Sequence, residues 1–128
     1  MILLDTCAFI WLASDPKKLS GKARDLITKY AYGLHVSVVT SWEISILVRR
    51  ERLKIPLSPQ QYVADAIKYL NITELPLTRQ VAQASVELPL IHNDPFDRIL
   101  IAEAMKNQFK LVTADRVIAQ YPGLGHVW

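Results

Sequence analysis

A chain of 128 residues is long enough to bury a core as one domain, and 51% hydrophobic with 21% charged residues excludes a disordered polymer. The longest clean apolar stretch near the start, Cys7–Ala13, is too short to span a bilayer. No charged segment with a small-residue cleavage site precedes it, so neither a membrane anchor nor a signal peptide is expected.

A lone Cys7 cannot form an internal disulfide and reads as a small buried hydrophobe in a protein of the reducing cytoplasm. The net charge of +3 is unevenly spread: residues 1–64 carry nine Lys/Arg against five Asp/Glu, and residues 65–128 six against seven. Basic residues gather at Lys17, Lys18, Lys22, Arg24 and Lys29, and again at Arg49, Arg50, Arg52 and Lys54. Such clusters suit either a phosphate backbone or solvated helix faces.

No internal repeat, linker or low-complexity segment divides the chain, so residues 1–128 read as a single domain. The apolar run Ile2-Leu3-Leu4, ending at Asp5, predicts a buried first strand. Thr6 caps a short helix over Cys7–Ala13, ended by Asp15-Pro16, and Ser20 opens a second to about Tyr32 with Gly33 as its stop. The β-branched run Leu34–Val39 predicts a second strand, after which Thr40-Ser41-Trp42-Glu43 begins a helix to about Arg52.

Ser58-Pro59 starts a helix to about Leu70, Ile72–Leu75 is a short strand, and Thr78 caps a helix to about Leu88. Asp94-Pro95 opens a helix through about Gln108, and Lys110–Val112 is a strand. A short helix follows around Val117–Gln120, and His126–Trp128 adds an edge strand after the Pro122-Gly123 turn. Strands alternating with helices predict an α/β sandwich around a parallel sheet, whose ligands bind beyond the carboxyl ends of the strands.

That rule directs attention to four acids. Asp5 directly follows the first strand, where it also suits a helix N-cap. Glu43 completes a capping-box pattern with Thr40, yet it shares a helix face with Ile46 and Leu47, where a carboxylate needs a partner. Asp94 has an ordinary explanation as the cap ahead of Pro95. Asp97 does not, because Leu100, Ile101 and Ala104 lie on its own face, although the helix dipole favours an acid there. Asp115 lies just past the Lys110–Val112 strand and also suits a cap.

Carboxylates gathered in one cleft repel one another unless a cation lies among them. Oxygen donors suit Mg²⁺ or Mn²⁺, and the sequence has no Cys/His set with zinc spacing. A hard cation so held polarises a phosphoryl oxygen and activates a water, which is the chemistry of phosphodiester hydrolysis.

Four stretches carry a family resemblance: Leu3-Leu4-Asp5-Thr6, Ser41-Trp42-Glu43-Ile44, His92-Asn93-Asp94-Pro95-Phe96-Asp97-Arg98-Ile99-Leu100-Ile101-Ala102, and Leu111-Val112-Thr113-Ala114-Asp115. In this order they resemble the PIN-domain family, specifically the VapC-type toxin ribonucleases of toxin–antitoxin pairs. The resemblance implies an α/β/α sandwich and Mg²⁺- or Mn²⁺-dependent cleavage of single-stranded RNA. It makes Asp5 and Asp97 the principal metal ligands, with Glu43 and Asp115 completing the pocket, and Thr6 and Thr113 as hydrogen-bonding support. It also implies a homodimer and a cognate antitoxin that covers the acidic site.

Among the remaining residues, His92 is expected to hydrogen-bond locally or to touch substrate, and His35 and His126 to be structural. Arg98 faces away from Asp97, toward a phosphate or a surface ion pair. Trp42 is expected in the core beside Glu43, whereas Trp11 and Trp128 fit either core or dimer surface. A signalling receiver domain would need a second acid next to Asp5, where Thr6 stands. An aspartyl phosphatase would need one at Cys7. The remaining alternative is a non-catalytic RNA- or protein-binding module of the same fold.

Overall fold

The computed structural model describes residues 1–128. Five strands form one parallel sheet: β1 (Ile2–Leu4), β2 (Leu34–Ser37), β3 (Thr73–Leu75), β4 (Lys110–Val112) and β5 (His126–Val127), in the order β3-β2-β1-β4-β5. Six helices connect them: α1 (Thr6–Ser14), α2 (Gly21–Lys29), α3 (Val38–Arg49), α4 (Pro59–Tyr69), α5 (Arg79–Glu87) and α6 (Pro95–Asn107). Short 3₁₀ turns lie at Pro16–Lys18 and Ile118–Gln120. None of the helices is long and apolar enough to cross a membrane.

β1 is central, pairing Leu4 with Val36 of β2 on one side and with Val112 of β4 on the other. Buried on both faces, its three residues are all apolar, as parallel strands require. Their side chains alternate between two cores. Ile2 and Leu4 join Phe9, Ile27, Ile44 and Val63 under α1, α2 and α4, while Leu3 joins Leu100, Ile101, Ala104 and Leu111 under α6.

The strand order reverses at β1: the chain moves outward through β2 and β3, then returns to β4 on the opposite side. The crevice beyond the carboxyl ends of β1 and β4 is therefore the expected binding position of this topology.

Helix starts follow the caps visible in the sequence. Ser20, Ser58, Thr78 and Asp94 accept hydrogen bonds from the amides of Ala23, Gln61, Val81 and Phe96. Two boundaries differ from the sequence expectation. The cap of α1 is Asp5, which accepts from the Ala8 amide at 2.7 Å, and Thr6 is already helical. Strand β2 stops at Ser37, whose hydroxyl accepts from the Val39 amide at 3.2 Å, so Val38 and Val39 open α3. The Thr40–Glu43 capping box is thus absent. Both residues lie inside the helix, and Thr40 is fully buried.

Candidate metal centre

Four elements deliver the four acids to one place. Asp5 leaves β1, Glu43 sits in the second turn of α3, Asp97 in the first turn of α6, and Asp115 just beyond β4. Together with Thr6, Cys7, Trp11 and Ala114 they line a cleft of about 330 Å³ at the carboxyl edge of the sheet.

The cleft is electrostatically incomplete. No lysine or arginine in the chain pairs with a carboxylate; the only close side-chain nitrogen beside these acids is that of the His92 imidazole. Burial, opposed in part by the Thr113 hydroxyl and the Ala8 amide, pushes the Asp5 carboxyl up to about 6. Burial and the neighbouring charge of Asp94 push Asp97 to about 7, although His92 draws it down. Burial also raises Glu43, whose Oε1 is enclosed with no hydrogen-bond partner. Asp115 differs: burial would raise it, but hydrogen bonds from His92 and from the Val117 and Ile118 amides outweigh burial and hold it low.

Clustered acids raised by burial and mutual repulsion, with one orphaned buried oxygen, fit a divalent cation held by oxygen donors. Asp97 and Asp115 also bring one oxygen each to within 4.8 Å of one another, beside His92 Nε2.

The supporting residues separate into two groups. Thr6 lines the cleft, its hydroxyl 3.0 Å from that of Thr40, and the Thr113 hydroxyl accepts the Asp115 amide at 3.1 Å. Thr6 thereby ties the start of α1 to α3, and the Thr113 hydroxyl also reaches Asp5. Asp94 caps α6 and contributes only charge to Asp97.

Arg98 corrects the sequence expectation of a phosphate contact or surface ion pair. It is 8% exposed, and its guanidinium donates to the carbonyls of Ser85, Val86, Leu88, Pro89 and His92 and to the Tyr121 hydroxyl. It staples the 85–92 segment to α6 and supports the site only through that segment.

Cys7 is exposed in the cleft wall and not buried, because Asp5 at the N-cap turns the second helical position outward. Trp42 is likewise not core. It is 57% exposed and meets Phe96 edge-on, with ring centroids 5.0 Å apart. Trp11 and Trp128 pack against each other at 5.3 Å over the α1 core. The His35 ring is structural, its Nδ1 3.0 Å from the Gly33 carbonyl oxygen. Both basic clusters are exposed along their lengths, as solvated faces are.

His92 is the site residue whose role the sequence left open. Its Nε2 lies 3.0 Å from Asp115 Oδ2 and 3.2 Å from Asp97 Oδ2. The only signal was its place two residues before a helix cap, and contacts with Asp115, 23 positions away, leave no local trace.

A doubly wound parallel sheet with four acids at its carboxyl edge defines an acid-cluster α/β domain. A model of the PIN domain matches residues 2–124. Ribonuclease VapC22 of Mycobacterium tuberculosis (strain ATCC 25618 / H37Rv) is 32% identical over 119 residues, covering 90% of this chain and 87% of that protein. The chain belongs to the PIN-domain family, among its VapC-type members.

Solved structures agree on the fold. A toxin–antitoxin complex from Klebsiella pneumoniae superposes with a TM-score of 0.71 at 20% identity, covering 100% of this chain and 97% of that one. VapBC2 from Rickettsia felis, bound to a promoter DNA fragment, gives 0.69 at 15% identity, covering 99% and 98%.

Proposed function

We propose that this protein is a Mg²⁺- or Mn²⁺-dependent endoribonuclease that acts as the toxin of a toxin–antitoxin pair. One observation carries the reading: four carboxylates converge in one cleft, and no lysine or arginine of the chain neutralises them. Asp5 and Asp97 are the principal cation ligands, and Glu43 and Asp115 complete the set. The bound cation supplies Lewis-acid polarisation of a phosphoryl oxygen and a water of lowered pKa. Thr6 ties α1 to α3 beside the acids, and Thr113 holds the loop of Asp115.

RNA as substrate draws on two further supports. The 32% identical relative is named a ribonuclease. The exposed Trp42, braced by Phe96 and next in sequence to Glu43, offers a face on which an unpaired base can stack. An antitoxin partner is supported by the structural neighbour from Klebsiella pneumoniae, which is a toxin–antitoxin complex. Action in the cytoplasm and as a homodimer completes the proposal.

Cleavage of a mixed single-stranded RNA by the purified protein, with Mg²⁺, with Mn²⁺ and with EDTA, tests it. Cleavage that requires the metal and disappears in Asp97→Asn is the expected result. Cleavage that survives EDTA, or that Asp97→Asn retains, refutes the metal mechanism. Metal binding without cleavage of any RNA favours the binding-module alternative.

A further inference from the structure

We infer that His92 is a positioning residue for the metal centre: its Nε2–H holds the Asp115 carboxylate beside Asp97, and it is not itself a ligand. The inference rests on the cation reading of the cleft and adds to it a residue outside the four acids.

The argument begins with the tautomer. His92 Nδ1 lies 3.0 Å from the Asp94 amide nitrogen, which can only donate. Nδ1 therefore accepts, and the ring proton of the neutral imidazole is on Nε2. That Nε2–H donates to Asp115 Oδ2 at 3.0 Å, and Asp97 Oδ2 lies 3.2 Å from the same nitrogen without the alignment of a hydrogen bond. A nitrogen carrying a proton cannot ligate a cation. It can hold the Asp115 oxygen by a hydrogen bond and set its partial positive charge between two repelling acids.

The ring is in turn held from behind. The His92 amide donates to the Tyr121 hydroxyl at 2.8 Å, and its carbonyl accepts from Arg98 at 3.2 Å. Tyr121 and Arg98 are themselves joined at 3.1 Å, and both donate to the Pro89 carbonyl. Tyr121 is 3% exposed and Arg98 8%. A rigid buried network thus fixes backbone and ring, and the ring fixes Asp115 beside Asp97, two acids that come from separate elements. Without it, the Asp115 carboxylate, on an irregular loop after β4, is held only by the Val117 and Ile118 amides, both on Oδ1.

Affinity for Mn²⁺, measured by calorimetry and by electron paramagnetic resonance on the purified full chain, tests this without reference to cleavage. His92→Leu is expected to weaken Mn²⁺ binding by about 10–100-fold, the usual cost of losing a partner behind metal ligands. His92→Gln carries an N–H close to the Nε2 position and should recover most of that loss. Tyr121→Phe should weaken binding in the wild-type background but add little to His92→Leu, because its influence passes through His92.

Nitrogen-15 spectra of the metal-free wild type should show a protonated Nε2 and a bare Nδ1. Unchanged affinity in His92→Leu, no recovery in His92→Gln, or a protonated Nδ1 each overturns the inference. So does a spin-echo signal from nitrogen bound directly to Mn²⁺, which would make His92 a ligand. If the wild type binds no Mn²⁺, the metal reading itself falls and takes the inference with it.

Discussion

Asp97 and Arg98 are consecutive residues of α6, yet they sit in opposite electrostatic conditions. Arg98 is a buried cation whose two terminal nitrogens are fully engaged: five backbone carbonyls and one hydroxyl accept from it, and no carboxylate is needed. Asp97 faces the cleft among acids, with burial and Asp94 pushing it up to about 7 and only His92 drawing it down. One group is finished by the fold, and the other awaits a partner from outside. A charge that the chain fully satisfies contributes stability, whereas a set of like charges left unsatisfied is the mark of a site.

The sharpest way to break the contrast is Arg98→Met. Removing the guanidinium strands several buried carbonyls and should cost about 3–5 kcal/mol in chemical denaturation. A loss below about 1 kcal/mol would mean that the network is ornamental. Asp97→Asn should act in the reverse sense. Cleavage should fall by more than about 100-fold, since loss of a ligand exceeds the cost of losing its supporting partner. Metal-free stability at pH 8 should nevertheless rise by about 1–3 kcal/mol, because a repelled, half-buried charge is gone.

The pH dependence follows from the same groups. Asp5 and Asp97 are raised from 3.8 to about 6 and about 7, and burial raises Glu103 to about 7. Between their ordinary and raised values the folded state binds more protons than the unfolded state, so stability falls as pH rises through that window and levels off above about 7. Asp115, held low, works oppositely: its contribution is present above 3.8 and is lost as pH falls below it. The metal-free protein should therefore melt higher at pH 5 than at pH 8, and saturating Mn²⁺ should narrow the gap.

Glu103 separates fold from site. It is 1% exposed and accepts from the Ser37 hydroxyl through Oε1, while Oε2 has no partner. Glu103→Gln should add about 1–2 kcal/mol at pH 8, little at pH 5, and leave Mn²⁺ affinity unchanged in titration calorimetry. The smallest expected effect is that of Trp42→Ala. Loss of one stacked base should raise KM for single-stranded RNA about 10-fold with kcat nearly unchanged. A change confined to kcat would remove Trp42 from substrate binding.

Much of this arrangement was legible in the sequence because its signals are local. The apolar run before Asp5, the Asp94-Pro95 start of α6 and the strand before Asp115 place three of the four acids at the sheet edge without tertiary information. Leu100, Ile101 and Ala104 are fully buried beneath Asp97, as the helical spacing requires. The failures are equally physical. Val38 and Val39 look like strand because they are β-branched, but the Ser37 hydroxyl captures the Val39 amide and starts the helix early. Arg98 looks like a surface cation because its acceptors are carbonyls of the preceding loop, which have no residue signature. The pairing of His92 with Asp115 exists only once β4 lies beside β1.

Thermal melting at pH 8, with and without Mn²⁺, for the wild type and Asp97→Asn, tests the claim that the acidic cleft is completed by an external cation. The wild type should gain several degrees on adding Mn²⁺. Asp97→Asn should melt higher than the wild type without metal and gain little from it. A wild type indifferent to Mn²⁺, or a metal-free Asp97→Asn less stable than its parent, would contradict the account.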